Sequence, residues 1–129
     1  MTSDSFRCYL VKKTGKEGVQ ADVEQRPLFD LPAGDVLIRV LFSSLNYKDA
    51  LAATGRPGVV RKFPHVPGID AVGTVVEDRS GEFDCNDQVI VTGYELGAGH
   101  WGGWAEYIRV PAEWVIPLPD GLALEESMG

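Results

Sequence analysis

Cysteine is scarce: the chain has two in 129 residues, Cys8 and Cys85, and no CxxC pair. That excludes a disulfide-dense secreted scaffold and leaves two reduced thiols, with one disulfide as the alternative. Basic residues are also few. Twelve Lys and Arg stand against 19 Asp and Glu, a net charge of −7. Phosphate backbones and anionic membrane surfaces attract the opposite sign, so neither nucleic acid nor a membrane is an expected partner. Long apolar runs are missing. The uncharged apolar stretches are strand-sized, too short for a membrane-spanning helix, and Met1 to Asp4 opens no apolar signal core, so the expected location is the cytoplasm. No internal repeat or low-complexity tract occurs. Length excludes something too: 129 residues make one domain and cannot hold a complete nucleotide-binding domain plus a substrate domain. What is present is globular in kind, 44% apolar and 24% charged, and a chain of this size removes roughly two-thirds of its unfolded surface from water on folding.

The pattern along the chain is mainly β. Phe6 to Lys12 reads as a strand, Thr14 to Gly18 as a turn, and Val19 to Gln25 as a half-buried strand through the alternation Val19, Ala21, Val23. Val36 to Phe42 is a strong strand with Val36, Ile38 and Val40 on one face. Ser43 to Gly55 is the best helix candidate. Asn46 can cap it, Asp49 sits three residues later, and Gly55 can end it. Tyr47, Ala50, Leu51 and Thr54 share a helical face that is expected to be buried. Pro57, Pro64 and Pro67 make residues 56–68 a loop. Strands follow at Gly68 to Glu77, Gln88 to Thr92, Trp104 to Val110 and Trp114 to Leu118. Leu122 to Gly129 reads as the first turns of another helix, with Asp120 as its cap. About six or seven short strands with one or two short helices indicate a barrel or sandwich.

Gly97-Ala98-Gly99-His100-Trp101-Gly102 spells GxGxxG. A dinucleotide fingerprint needs a helix after it, whose N-terminus holds the pyrophosphate. Here the alternating, aromatic-rich run Trp104 to Val110 follows, which predicts a strand. The motif therefore reads as a Gly-rich loop.

Three other stretches stand in a distinctive order: Ser43-Ser44-Leu45-Asn46-Tyr47-Lys48-Asp49-Ala50, Phe63-Pro64-His65-Val66-Pro67-Gly68-Ile69-Asp70-Ala71-Val72-Gly73-Thr74-Val75, and His100-Trp101-Gly102-Gly103-Trp104-Ala105-Glu106-Tyr107. Together they resemble the N-terminal catalytic domain of medium-chain dehydrogenase/reductases, and within them the quinone oxidoreductase-like branch that includes bacterial acrylyl-CoA reductases. The resemblance runs from about Phe6 to Met128. It implies a GroES-like, partly open β-barrel over residues 1–129, the catalytic half of a protein whose Rossmann domain, normally next in the chain and the main NADPH site, is absent from this sequence. It implies a small-molecule substrate, an enoyl-CoA or a quinone, and a homodimer for the two-domain parent.

Zinc-dependent relatives carry a cysteine and a histidine where this sequence has Asn46 and Ile69, and isoleucine supplies no ligand atom. No zinc is expected, and with two cysteines the four-cysteine structural zinc lobe cannot form. The resemblance makes Tyr47 the cofactor contact and Asn46 and Asp49 the residues that shape the catalytic site. From the residues alone, Asn46 and Asp49 also fit a capping box, with Tyr47 in the core. Asp70 is either a hydrogen-bonded, partly buried acid or a cleft residue. Arg61 and Lys62 either meet phosphates of a coenzyme A thioester or of NADP, or are solvated loop charges. His100 and Trp101 either border the cleft or pack. Trp104, Tyr107 and Trp114 read as packing.

The expected function is that of the catalytic domain of an NADPH-dependent, zinc-free reductase of activated alkenes or quinones, with negligible activity for the chain alone. The alternative is a stand-alone GroES-like binding or assembly module without enzymatic activity.

Overall fold

The computed structural model describes residues 5–15, 18–55, 60 and 62–128. The turn at residues 16–17, the proline-rich segment 56–59 and the candidate Arg61 lie outside the described residues. Two long strands, β1 (Ser5–Thr14) and β2 (Gly18–Pro27), form an antiparallel ribbon. A five-stranded antiparallel sheet follows, built from β3 (Val36–Ser43), β4 (Asp70–Asp78), β5 (Gln88–Thr92), β6 (Tyr107–Val110) and β7 (Val115–Pro117) in the spatial order β6-β3-β4-β5-β7. Helix α1 (Tyr47–Ala53) joins β3 to the loop before β4, and α2 (Leu124–Ser127) is a single turn. This is the expected mainly-β, partly open barrel: the two sheets are not closed into one.

Alternation along the strands builds two cores. Val36 and Ile38 of β3, with Val40 against them, pack with Val75, Val89, Val91 and Ile108. Leu37, on the opposite face of β3, joins Phe6, Cys8 and Leu10 of β1 and Leu31 and Val66. β3 is therefore buried on both faces at its start, which is why it reads as a continuous apolar run. Each fully buried Leu, Ile or Phe here is worth about 1.5–3 kcal/mol, so these clusters dominate the stability.

β6 is shorter than the strand expected from Trp104. Residues 104–106 pair with β1 instead: Tyr9 N–H donates to Trp104 O (2.8 Å), Glu106 N–H to Arg7 O (2.9 Å), and Arg7 N–H to Glu106 Oε1 (2.6 Å). The Val40 N–H then donates to Glu106 O (2.8 Å), and the chain enters the five-stranded sheet. These residues form the corner that links the two sheets. Trp104 packs edge-on against Tyr9 with centroids 5.5 Å apart, as its packing role requires. The last strand also begins later than expected, because Ala112–Trp114 form a 3-10 turn before Val115. The final helix is capped at Ala123, not Asp120: Ala123 has the extended cap backbone, and its N–H donates to Glu126 Oε1 (3.2 Å).

The two thiols differ. Cys8 is buried in the second core, and burial pushes its thiol up to about 11; Cys85 is exposed. At pH 8 a thiol reagent should modify Cys85 readily in the folded chain and Cys8 about 100-fold or more slowly, because the thiolate is the nucleophile. Denaturant should make the two equal. Equal rates in the native state would contradict this packing.

Candidate active site

The site forms where β3 ends, α1 begins and β4 starts. Asn46 has the extended backbone of a helix cap (φ −122°, ψ 162°), and the Asp49 carboxylate reaches back to accept its N–H (2.9 Å). That is the reciprocal bond of a capping box. Asp49 does more than cap. It has no solvent exposure, and its other oxygen accepts the N–H groups of Gly68 (3.1 Å) and Ile69 (2.8 Å). A side-chain N–H of Asn46 adds a fourth bond at 3.3 Å. One carboxylate thus ties the start of α1 to the start of β4.

Of the helix face expected to be buried, Leu51 is half-buried and the rest is not. Tyr47 is 80% exposed, Ala50 and Thr54 are exposed, and the buried residues of α1 are Asp49 and Ala52. The reason is energetic. A short helix with one buried alanine has little apolar surface to bury, whereas hydrogen bonds to a charged group contribute about 1.5–3 kcal/mol each.

A second carboxylate organises the wall beside it. Asp70 Oδ2 accepts from Ser44 Oγ (2.9 Å) and Asn46 Nδ2 (3.1 Å), and its Oδ1 accepts from Thr92 Oγ1. Asn46 Nδ2 also donates to Ser44 Oγ (2.9 Å), so the acceptors around it fix the orientation of this amide. These groups line a cavity of about 460 Å³, together with the apolar Leu45, Ile90, Ile116 and Met128. Of the sequence candidates, Asn46, Asp49 and Asp70 come together here. Tyr47 projects to solvent at the adjoining helix start. Ser44 lies inside the first of the three resembling stretches but was not singled out there, and Thr92 and Ser127 carry no motif signal; the convergence of the segment after β3 with β5 and α2 brings all three to this wall.

The remaining candidates lie elsewhere. Lys62 and Trp101 line a separate cavity of about 490 Å³ with Phe63 and His65, and Trp101 Nε1–H donates to Pro64 O (3.0 Å). His100 packs edge-on against Trp114, itself stacked on Tyr94. Both histidines spend Nε2–H on backbone carbonyls, His65 on Gly97 (2.8 Å) and His100 on Arg109 (2.6 Å). Burial holds both imidazoles below their ordinary range, so they are neutral structural donors.

The GxGxxG loop holds no phosphate site. Gly97 N–H donates to His100 O (2.8 Å), Gly99 N–H to Glu95 Oε2 (3.2 Å) and Gly102 N–H to Val66 O (2.7 Å). All three glycine amides are committed inside the protein. Gly97 and Gly102 instead allow close approach: a Cβ at either would lie 2.5 Å or less from backbone atoms of Gly68. A zinc site does not fit either. The Asn46 amide nitrogen is turned toward acceptors, Ile69 has no ligand atom, and no group of three His, Cys, Asp or Glu among the described residues could hold a metal.

Residues 32–120 match the alcohol dehydrogenase GroES-like domain. The chain belongs to that family. It is 43% identical over 124 residues to the acrylyl-CoA reductase AcuI of Ruegeria pomeroyi, covering 95% of this chain and 38% of that protein. It is 48% identical over 126 residues to YhfP of Bacillus subtilis, a provisionally assigned quinone oxidoreductase, covering 98% of this chain and 38% of that protein. The YhfP crystal structure with NAD bound matches with a TM-score of 0.91 at 42% identity, over 98% of this chain and 38% of that one. The yhdH oxidoreductase of Salmonella enterica in complex with NADP matches equally, with a TM-score of 0.91 at 41% identity, over 95% of this chain and 37% of that one. The GroES-like chain therefore spans about 38% of the length of these oxidoreductases. Among its described residues, no helix is long and apolar enough to cross a membrane.

Proposed function

We propose that this chain forms the substrate side of the active site in an NADPH-dependent, zinc-free reductase of activated alkenes, with an enoyl-CoA thioester as first choice and a quinone as second. The observation that carries the reading is the polar cavity at Asn46, next to the exposed Tyr47, in a chain whose relatives are oxidoreductases. Those relatives also favour an enzyme over a stand-alone binding module. The committed glycine amides leave the pyrophosphate to a nucleotide-binding domain outside this chain. Tyr47 contacts the cofactor at its nicotinamide end. Asn46 faces the reacting groups, and Asp49, fully buried, positions Asn46 and the helix start without touching them.

When bound, NADPH supplies a hydride for the β-carbon of the alkene. The protein must then keep bulk water away from the hydride and provide a proton for the α-carbon. The Ile90, Ile116, Leu45 and Met128 side chains give the cavity its apolar portion. The wall hydroxyls have already spent their hydrogens inside the protein, so the proton comes from Tyr47 or from water.

NADPH oxidation with acrylyl-CoA should be undetectable for the chain alone and clear once a nucleotide-binding domain is joined to it. In the joined protein, Tyr47→Phe should raise the KM for NADPH about five- to tenfold, as loss of one hydrogen bond at a bound ligand does. A joined protein silent with enoyl thioesters and quinones alike would overturn this function.

A further inference from the structure

Alternation along β6 sends Ile108 and Val110 into the first core and puts Tyr107 and Arg109 on the opposite face. That face belongs to the second core: Tyr107 packs against it, and the cross-strand partner of Arg109 is Leu37, which is buried there. Arg109 is thus a half-buried cation at a position where the pattern calls for an apolar residue. A guanidinium so placed is ordinarily held by a carboxylate, because a partly desolvated, unpaired charge is costly. Arg7, Arg26 and Arg79 each have an acid partner, but among the described residues no ion pair or hydrogen bond engages the Arg109 guanidinium. The acids of the flanking segments are committed elsewhere. Asp30 accepts from Arg26, Asp35 from the Ala112 N–H, Glu77 from Arg79, and Asp78 from the N–H groups of Ser80 and Phe83.

What Arg109 lines is a cavity of about 780 Å³, shared with Arg79, with Pro27, Leu28 and Phe29 at the end of β2, and with the turn at Gly34. A Cβ at Gly34 would lie 2.6 Å from Val110 C, so glycine lets this turn close against β6 beside Arg109. Arg79 spends Nε–H on Glu77 (3.2 Å), which leaves its two terminal nitrogens. Phe29 is 82% exposed, a large apolar ring kept in water at the same wall. No acid lines the cavity, although the chain carries a net charge of −7. The cavity sits where β3 begins and β4 ends, whereas Asn46 and Asp70 lie at the other end of both strands. At about 3.3 Å per residue that is roughly 25 Å away. We propose that this cavity is a second binding site, for an organic anion: an acidic head, carboxylate or phosphate, on Arg109 and Arg79, and an apolar body on Phe29, Leu28 and Pro27. A guanidinium fork meets either head group through the same paired N–H donors. The site goes beyond the reductase reading and does not rest on it.

The test titrates the chain with small probes and follows amide NMR shifts: 3-phenylpropionate, phenyl phosphate, the neutral 3-phenylpropanol and inorganic phosphate. At least one phenyl anion should shift Phe29, Gly34, Arg79 and Arg109, and the tighter of the two names the head group. The alcohol lacks the charge and inorganic phosphate lacks the apolar body, so each should bind about tenfold more weakly or worse. Arg109→Met keeps an unbranched stem on the core-facing side and should cost the phenyl anion about tenfold or more. Its Tm should not fall, because an apolar side chain there replaces an unpaired, half-buried charge. If that variant does not fold, Phe29→Ala decides, since its ring is mostly in water: it should weaken the phenyl anion about fivefold and leave inorganic phosphate unchanged. Equal binding of the phenyl anion and the alcohol would overturn the proposal. So would shifts gathered at Asn46 and Thr92 instead, no binding of either phenyl anion up to its solubility limit, or unaltered affinity in the folded variant.

Discussion

Asp49→Asn should cost the chain about 3–5 kcal/mol, a large part of the stability of a domain this size. Thermal unfolding followed by circular dichroism should show a fall of roughly 10–15 °C in Tm. The substitution keeps the volume and replaces one oxygen with an NH2 group. The wild-type carboxylate accepts from the N–H groups of Asn46, Gly68 and Ile69 and from Asn46 Nδ2. An amide placed there must turn its own N–H groups toward donors on one side, at a site with no solvent exposure. In the joined protein, any fully folded Asp49→Asn enzyme should also lose kcat through a displaced Asn46. A fall in Tm of only one or two degrees would show that the tether between α1 and β4 contributes little.

Gly68→Ala should be more damaging still, with little soluble folded protein and a loss of about 4 kcal/mol or more. Gly68 has φ 111°, where L side chains are rare, and a Cβ there would lie 2.6 Å from both Gly103 N and Trp104 N. Those are backbone atoms, and both donate across the same junction, Gly103 N–H to Gly68 O (2.9 Å) and Trp104 N–H to Pro67 O (3.0 Å). Gly93→Ala is the informative contrast. Its φ is 80° but nothing lies within 4 Å of a Cβ, so it should cost only about 1–2 kcal/mol. Equal losses for the two would place the whole effect in backbone strain and none in the close approach.

Much of this architecture is legible in the residues. Alternation along Val19 to Gln25 and Val36 to Phe42 places both strands, and Asn46 followed by Asp49 marks the helix start. The misread helix face shows the limit. Hydrophobic periodicity weighs Tyr47, Ala50 and Leu51 as candidates for burial, but it does not count hydrogen-bond donors. Asp49 is buried because three backbone N–H groups and an amide meet it, two of them from residues 68 and 69. The strand expected from Trp104 fails for a related reason: residues 104–106 have strand chemistry, but they serve the β1 ribbon before the sheet. Thr92 and Ser127 give no pattern along the chain, being ordinary hydroxyl residues on separate elements, and Ser44, although it stands in the stretch before Asn46, is marked there by nothing that separates it from Ser43. The glycine motif was readable as a loop. Its physical purpose, letting backbones touch at Gly68, needed the fold.

The corner at residues 104–106 has a consequence for the order of assembly. Arg7 and Glu106 are hydrogen-bonded at a sequence separation of 99. The inner edge of the N-terminal ribbon, and Cys8 with it, therefore waits uncovered until most of the chain has left the ribosome. Such distant pairings raise contact order and slow folding into the millisecond-to-second range. The Cys8 thiol, buried in the finished molecule, is open to reagents until that pairing forms.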